Sequence, residues 1–254
     1  MRIRSLAVGA ALAMTASVAT AQSAAEHIAL GDQLHAEMKP AEALVHYEAA
    51  VKADSNSYEA QWKLSQAAAD VAEFDTDKSK QGQLFSEAEK AARNAIRINP
   101  GDAEGHFYLA RAVGRLALTK GVSERVKFAG IVHDEAEAAL KANPNHPGAL
   151  HALGLWNAEI MRLSGFQRFM AKNFLGGRVF NQANWDNARK NLEKAVEVDP
   201  SRLTHKLDLG NVYKDIGEKE KAKEQFEAVI NGKATDYNDK FYKQKAEEAL
   251  KALS

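Results

Sequence analysis

The chain has 254 residues, 45% hydrophobic and 27% charged, enough for one or two ordinary folded units. Its 34 basic and 34 acidic side chains give a formal net charge of +0, which excludes the broad basic field that recruits nucleic acid. It has no cysteine, which excludes disulfides, thiolate nucleophiles and thiolate metal sites.

Residues 1–21 read as a secretory leader. Arg2 and Arg4 form a basic start, Ser5 to Thr20 is small and apolar, and Ala19-Thr20-Ala21 is a small-x-small cleavage site. The stretch is short and Ala-rich for a membrane anchor, and no other segment is long and apolar enough to span a bilayer. The mature chain is expected to begin at Gln22, exported and free in a periplasmic or extracellular space. No cysteine is present to take an N-terminal lipid.

Beyond the leader one interval recurs. Ser55, Pro100, Pro144 and Pro200 each lie nine positions before a Leu followed by a small residue: Leu64-Ser65, Leu109-Ala110, Leu153-Gly154 and Leu209-Gly210. An alanine precedes each end by five positions: Ala50, Ala95, Ala139 and Ala195. Helical stops, small contact residues and second-helix faces such as Ala43/Tyr47/Ala50 and Ala222/Phe226/Val229 describe paired antiparallel helices. Pro40 sits just inside a helix start, and Gly217 falls where the last turn needs a left-handed residue.

The unit resembles the tetratricopeptide repeat, a pair of antiparallel helices that stacks into a solenoid. The expected architecture is all-α, a tetratricopeptide-like α-solenoid of about five helix-turn-helix repeats. The repeats run over 24–57, 58–102, 103–146, 147–202 and 203–236, forming one unit over 22–254 with a capping helix at 238–253. Repeats two, three and four are longer by 11, 10 and 22 residues, always between first and second helix, so the insertions project from one edge. Extra helical turns are the simplest content of the first two. The third, 160–181, has no acid, carries Arg162, Arg168, Lys172 and Arg178 among Phe166, Phe169, Phe174 and Phe180, and breaks at Gly176-Gly177. It reads as a lid on the groove with buried phenylalanines, as a contact with an anionic membrane surface through Phe166, Arg168, Phe169 and Phe174, or as a docking element.

Two stretches go further than a generic repeat. One is 86–118, with Gly-His-Phe-Tyr-Leu-Ala-Arg-Ala-Val-Gly-Arg. The other is 150–200, with Leu-His-Ala-Leu-Gly-Leu-Trp, Phe-Leu-Gly-Gly and Ala-Arg-Lys-Asn-Leu-Glu-Lys-Ala-Val-Glu-Val-Asp-Pro. Over roughly 58–254 the chain resembles the regulator of microtubule dynamics family. The resemblance implies a helical repeat domain with a ligand-binding concave face. It also implies microtubule association or phospholipid binding in some eukaryotic members. An exported chain of bacterial type meets no tubulin, so microtubules are not expected as a partner here.

No His-Glu-x-x-His, phosphate-binding glycine loop or Gly-x-Ser-x-Gly elbow occurs. Eight histidines are scattered, and the cluster His133-Asp134-Glu135 points three ways around a helix, so no catalytic residue, metal site or cofactor is expected. The fifth and ninth positions of each unit should line the concave face: Ile28, Trp62, Phe107, His151 and Leu207, then Asp32, Gln66, Arg111, Leu155 and Asn211, with Arg115 beside Arg111. Trp62, Phe107, Arg111, Arg115, His151, Leu155 and Asn211 are therefore the candidate groove residues. The expected function is a non-enzymatic scaffold that binds a protein or peptide segment in that groove. The alternative is a lipid or fatty-acyl carrier using an aromatic wall and an arginine pair.

Overall fold

Four Asx residues set the period of the molecule. The amides of Asp54, Asn99, Asn143 and Asp199 close onto the carbonyls of Ala50, Ala95, Ala139 and Ala195 at 2.8–2.9 Å. Three of these side chains then accept from the amide two residues on: Asn56 at 3.0 Å, Asn145 at 3.1 Å and Ser201 at 3.1 Å. Such local bonds turn the chain out of one helix. Capping side chains start the next one. Ser57 accepts from the Ala60 amide at 3.2 Å, Asp102 from Glu104 at 3.0 Å, and the His146 ring from Ala149 at 3.1 Å with Pro147 in the first helical turn.

The computed structural model describes residues 23–174 and 178–253; the leader expected at 1–21 and the Gly176-Gly177 break lie outside the described residues. Within them are twelve α-helices and no strand. They are α1 (23–36), α2 (Pro40–Ala53), α3 (Tyr58–Ala72), α4 (Lys78–Ile98), α5 (Ala103–Ala117) and α6 (Val122–Ala142). After these come α7 (Pro147–Arg162), α8 (Gly165–Phe174), α9 (Trp185–Val198), α10 (Leu203–Asp215), α11 (Lys219–Asn231) and α12 (Asp239–Lys251). A 3-10 segment, Arg178–Gln182, lies between α8 and α9. The helices pack as five antiparallel pairs. Four are α3/α4, α5/α6, α7/α9 and α10/α11, with α12 as cap, and the first is α1/α2, where Gly31 and Asp32 meet Tyr47. The first helices also face one another, α3 on α5, α5 on α7 and α7 on α10.

Within each pair the helix separation follows residue size. A Cβ added to Gly154 would lie 2.6 Å from Leu192, and one added to Gly210 would lie 2.6 Å from Phe226. Gly31 faces Tyr47 in the same way. Where the equivalent second-helix residue is Ala92 or Ala136, the first helix carries Ser65 or Ala110 instead, and all four are buried. Large-on-glycine and small-on-small combinations give similar interhelical packing, which close-packed interiors require.

The insertions in repeats two and three are extra turns that lengthen α4 and α6 to 21 residues each, against 13 in α11. The third insertion is α8 plus the 3-10 segment. Ala171 and Phe180 are buried in a cluster with Val126, Trp156 and Ile160, so the insertion lies on the lengthened start of α6. The Trp156 indole N–H donates to the Ala129 carbonyl at 2.8 Å, which fixes α7 to α6 at that edge.

Candidate functional site: the inner face

Successive first helices are stitched across the inner face by ion pairs. Lys63 on α3 pairs with Asp32 on α1, whose carboxylate also accepts from the Tyr47 hydroxyl at 2.8 Å. Arg111 on α5 reaches Asp70 on α3 at 2.5 Å and Glu73 at 3.3 Å, and Arg115 pairs with Glu73. His151 on α7 meets Asp208 on α10 at 2.8 Å, and Arg162 meets Asp215 at 2.6 Å. The Asp70 and Glu73 carboxylates are almost wholly buried. Burial alone would raise the Asp70 pKa. The charge of Arg111 and the His35 hydrogen bond outweigh it and hold the group at about 2.

The C-terminal segment then enters this face. After α11 the chain runs without regular structure through 233–235 and turns at 236–238. The Asp239 carboxylate accepts from the amides of Thr235 at 2.7 Å and Asp236 at 2.8 Å, and Asp236 accepts from the Asn238 amide at 2.9 Å. This compact turn is tied to two distant repeats. Asp236 pairs with Arg202 at the start of α10 at 2.8 Å. The Asn238 side-chain amide donates to the Asp70 carbonyl at 3.2 Å, and the Tyr242 hydroxyl donates to Glu73 at 2.8 Å. Phe241 stacks on Phe74 with centroids 4.3 Å apart. Asn238 and Asp239 are fully buried. The cap is thus also a plug that joins repeat five to repeat two across the hollow side.

The expected groove residues are all half-buried. Trp62 stacks on Tyr108 at 5.4 Å with the Lys63 ammonium 5.2 Å from its ring, and Phe107 packs on Tyr108 and His146. Arg111 and Arg115 join Trp62 and Phe107 on α3 and α5, with their charges answered by Asp70 and Glu73. His151 stacks on His205 at 4.8 Å on the next pair of first helices, and Leu155 and Asn211 lie on the same helices as those rings. His205 is buried, its Nδ1 without a partner among the described residues, and desolvation with the neighbouring His151 and Arg202 pushes it down to about 2.

On the insertion, Phe166 is 73% and Phe169 53% exposed, while Phe180 is buried. The Arg168 guanidinium lies against the Met161 sulfur at 2.9 Å. The Phe174 side chain lies outside the described residues. His133 packs on the Trp156 ring at 4.7 Å, and Glu135 pairs instead with His106 at 2.6 Å.

The residues that the sequence did not single out are Asp70, Glu73, Arg202, Asn238, Phe241 and Tyr242. One signal was available. Asp70 and Glu73 interrupt the alanine-rich α3 at a spacing of three, on the face that must meet the arginines of α5, spaced by four.

Residues 27–254 match the family described as regulator of microtubule dynamics protein 1-3. The chain belongs to that family. Regulator of microtubule dynamics protein 1 of Bos taurus is 26% identical over 208 residues, 79% of this chain and 63% of the relative. Regulator of microtubule dynamics protein 3 of Rattus norvegicus is 22% identical over 163 residues, 64% of this chain and 34% of the relative. The chain therefore spans only part of the length of these family members. A thermophilic tetratricopeptide-repeat protein of Thermus thermophilus shares the fold, with a TM-score of 0.61 over 89% of this chain and 99% of that one at 18% identity. The Pseudomonas aeruginosa protein pilF superposes with a TM-score of 0.50 over 92% of this chain and 93% of that one at 14% identity.

Proposed function

We propose that this member of the family is a non-enzymatic scaffold of the cell envelope that holds a segment of a partner protein against its inner face. The observation that carries the reading is that the inner face already holds a stretch of polypeptide. The turn at 236–238 and the aromatic pair that follows lie between the end of α3 and the start of α10, with side-chain anchors on two distant repeats. Repeat surfaces suit extended or turning segments because each repeat offers its own set of contacts. The reading extends the seat over Trp62, Phe107, Arg115, His151, Leu155 and Asn211, all half-buried on first helices.

An acyl chain fits less well. The centre of the face is charged, with Asp70, Glu73, Arg111, Arg115 and Asp236 brought together. A cleft of about 250 Å³ lies to one side of that centre, lined by Met38, Pro40, Val71 and Tyr237 with Lys39 and Glu42 at its edge. Native mass spectrometry that returned a bound lipid would favour the carrier reading instead.

The direct test screens a displayed peptide library against the full mature chain. Enriched peptides should bind at least tenfold more weakly when Leu155→Arg or Asn211→Lys is introduced. Failure to enrich any peptide, or binding indifferent to both changes, would count against the scaffold. Export is tested separately. The protein recovered from an expressing cell should begin at Gln22, and an intact Met1 start in the cytoplasm would contradict export.

A further inference from the structure

We infer that the partner segment which seats on the inner face has the chemistry of residues 236–242, an acidic Asx turn followed by two aromatic side chains, and that it binds by replacing them. The inference rests on the scaffold reading above and names what that scaffold recognises.

The seat is defined by what now fills it. Arg202 supplies a cation to the first carboxylate of the turn, Asp236. The Asp70 carbonyl takes a side-chain amide from Asn238, two positions later. Phe74 offers a face to the first aromatic ring, Phe241, and the Glu73 carboxylate accepts from the hydroxyl of the second, Tyr242. Arg111 and Arg115 hold Asp70 and Glu73 in place, so the acceptors are fixed before any segment arrives. A segment reading Asp-x-Asn-Asp-x-Phe-Tyr satisfies each of these positions, and one with a basic first residue sets like charge against Arg202.

Joined to α11 and α12 at its ends, the resident segment meets the seat's groups but leaves two of its own oxygens unanswered. Asn238 Oδ1 and Asp239 Oδ1 are buried with no hydrogen-bond partner among the described residues. A buried oxygen that has given up water without a replacement disfavours the seated state. The side-chain anchors of 236–242 are few, and the Asn238 contact is long at 3.2 Å. Tyr237 is 39% exposed and borders the cleft beside Met38, Pro40 and Val71, which leaves an entry for a competing chain next to the buried turn. Ala246, deeper in α12, is buried against the C-terminal core, so the turn can leave while the rest of the cap stays docked.

The test uses the full chain and a labelled synthetic peptide, Lys-Ala-Thr-Asp-Tyr-Asn-Asp-Lys-Phe-Tyr-Lys-Gln, which copies residues 233–244. Fluorescence anisotropy should show the peptide binding the Asp236→Ala chain at least tenfold more tightly than the unaltered chain, because the resident turn has lost its ion pair with Arg202. Tyr242→Phe serves as the second, milder loosening variant and should act in the same direction. A peptide carrying Asp236→Arg should bind at least tenfold more weakly, and the Arg202→Glu chain should restore it. A scrambled peptide that binds equally well overturns the inference. So does a self-peptide that fails on both loosened chains while library-selected peptides still bind, a result that leaves the scaffold reading intact. If the loosened chains dimerise on size-exclusion chromatography and exclude the peptide, the occupant is a second copy and the inference is wrong.

Discussion

Gly210 shows how a missing methyl sets the distance between two helices. A side chain there would meet Phe226 at 2.6 Å, and Phe226 is wholly buried. Gly210→Ala is expected to destabilise the chain by about 1–3 kcal/mol, as overpacking of a filled core does, measured by urea unfolding. The adjoining turns make a second comparison. Gly217 has φ of 84°, as its place in the last repeat predicts, but the equivalent first-repeat turn puts Met38 at φ of 60°. The six-to-one bonds match, Lys39 to Leu34 and Glu218 to Tyr213. Met38→Gly should therefore stabilise the fold by about 0.5–1 kcal/mol, read as a rise in melting temperature. His205 gives a third expectation. Its folded pKa of about 2 lies below the ordinary 6.5, mainly through desolvation. The unfolded chain takes up a proton below pH 6.5 that the folded chain refuses. Stability is full above that pH and falls by about 1.4 kcal/mol per unit as acid is added. Thermal melts over the two or so pH units below the ordinary histidine value should show a shallower slope in His205→Asn.

At the scale of helices, the ion pairs between α3 and α5 are expected to hold register rather than to add large net stability. Arg111→Met leaves Asp70 and Glu73 short of countercharge in a buried setting, and should cost about 3–5 kcal/mol. Asp70→Asn combined with Arg111→Met should cost less than Arg111→Met alone, because no uncompensated charge remains at that pair. A double-mutant cycle by chemical unfolding checks this. An additive result would mean that the two residues do not interact. The helices themselves were legible in the sequence. Spacing from Ser55, Pro100, Pro144 and Pro200 placed α3, α5, α7 and α10, because local turn chemistry and one-sided burial act on nearby residues. The composition of 160–181 revealed an unusual insertion, but Phe180 turned inward while Phe166 stayed exposed, a choice made by contact with Val126 on α6 rather than by local pattern.

For the whole molecule, repeat position pointed to Trp62, Phe107 and the arginine pair as inner-face candidates, and the two rings are found packed on Tyr108 while the arginines pair with carboxylates of repeat two. The partners were not readable. Asp70 and Glu73 are 41–42 residues away in sequence from the arginines, and Asn238 and Tyr242 are 168–169 residues from their contacts at the end of α3. No periodicity reports how far a solenoid curls, yet the curl decides whether its end returns to its middle. The return joins the Phe74 end of repeat two to the core of repeat five and turns an open groove into an occupied one.

Hydrogen exchange over residues 233–242 tests that occupancy most directly. The amides of Thr235 and Asp236 donate to Asp239, and that of Tyr242 donates to Asn238, within a buried turn. They should exchange at least about a hundredfold more slowly than a free chain, and Asp236→Ala, which removes the ion pair with Arg202, should speed them while leaving α10 protected. Exchange of this stretch at the rate of an unstructured tail would contradict the account.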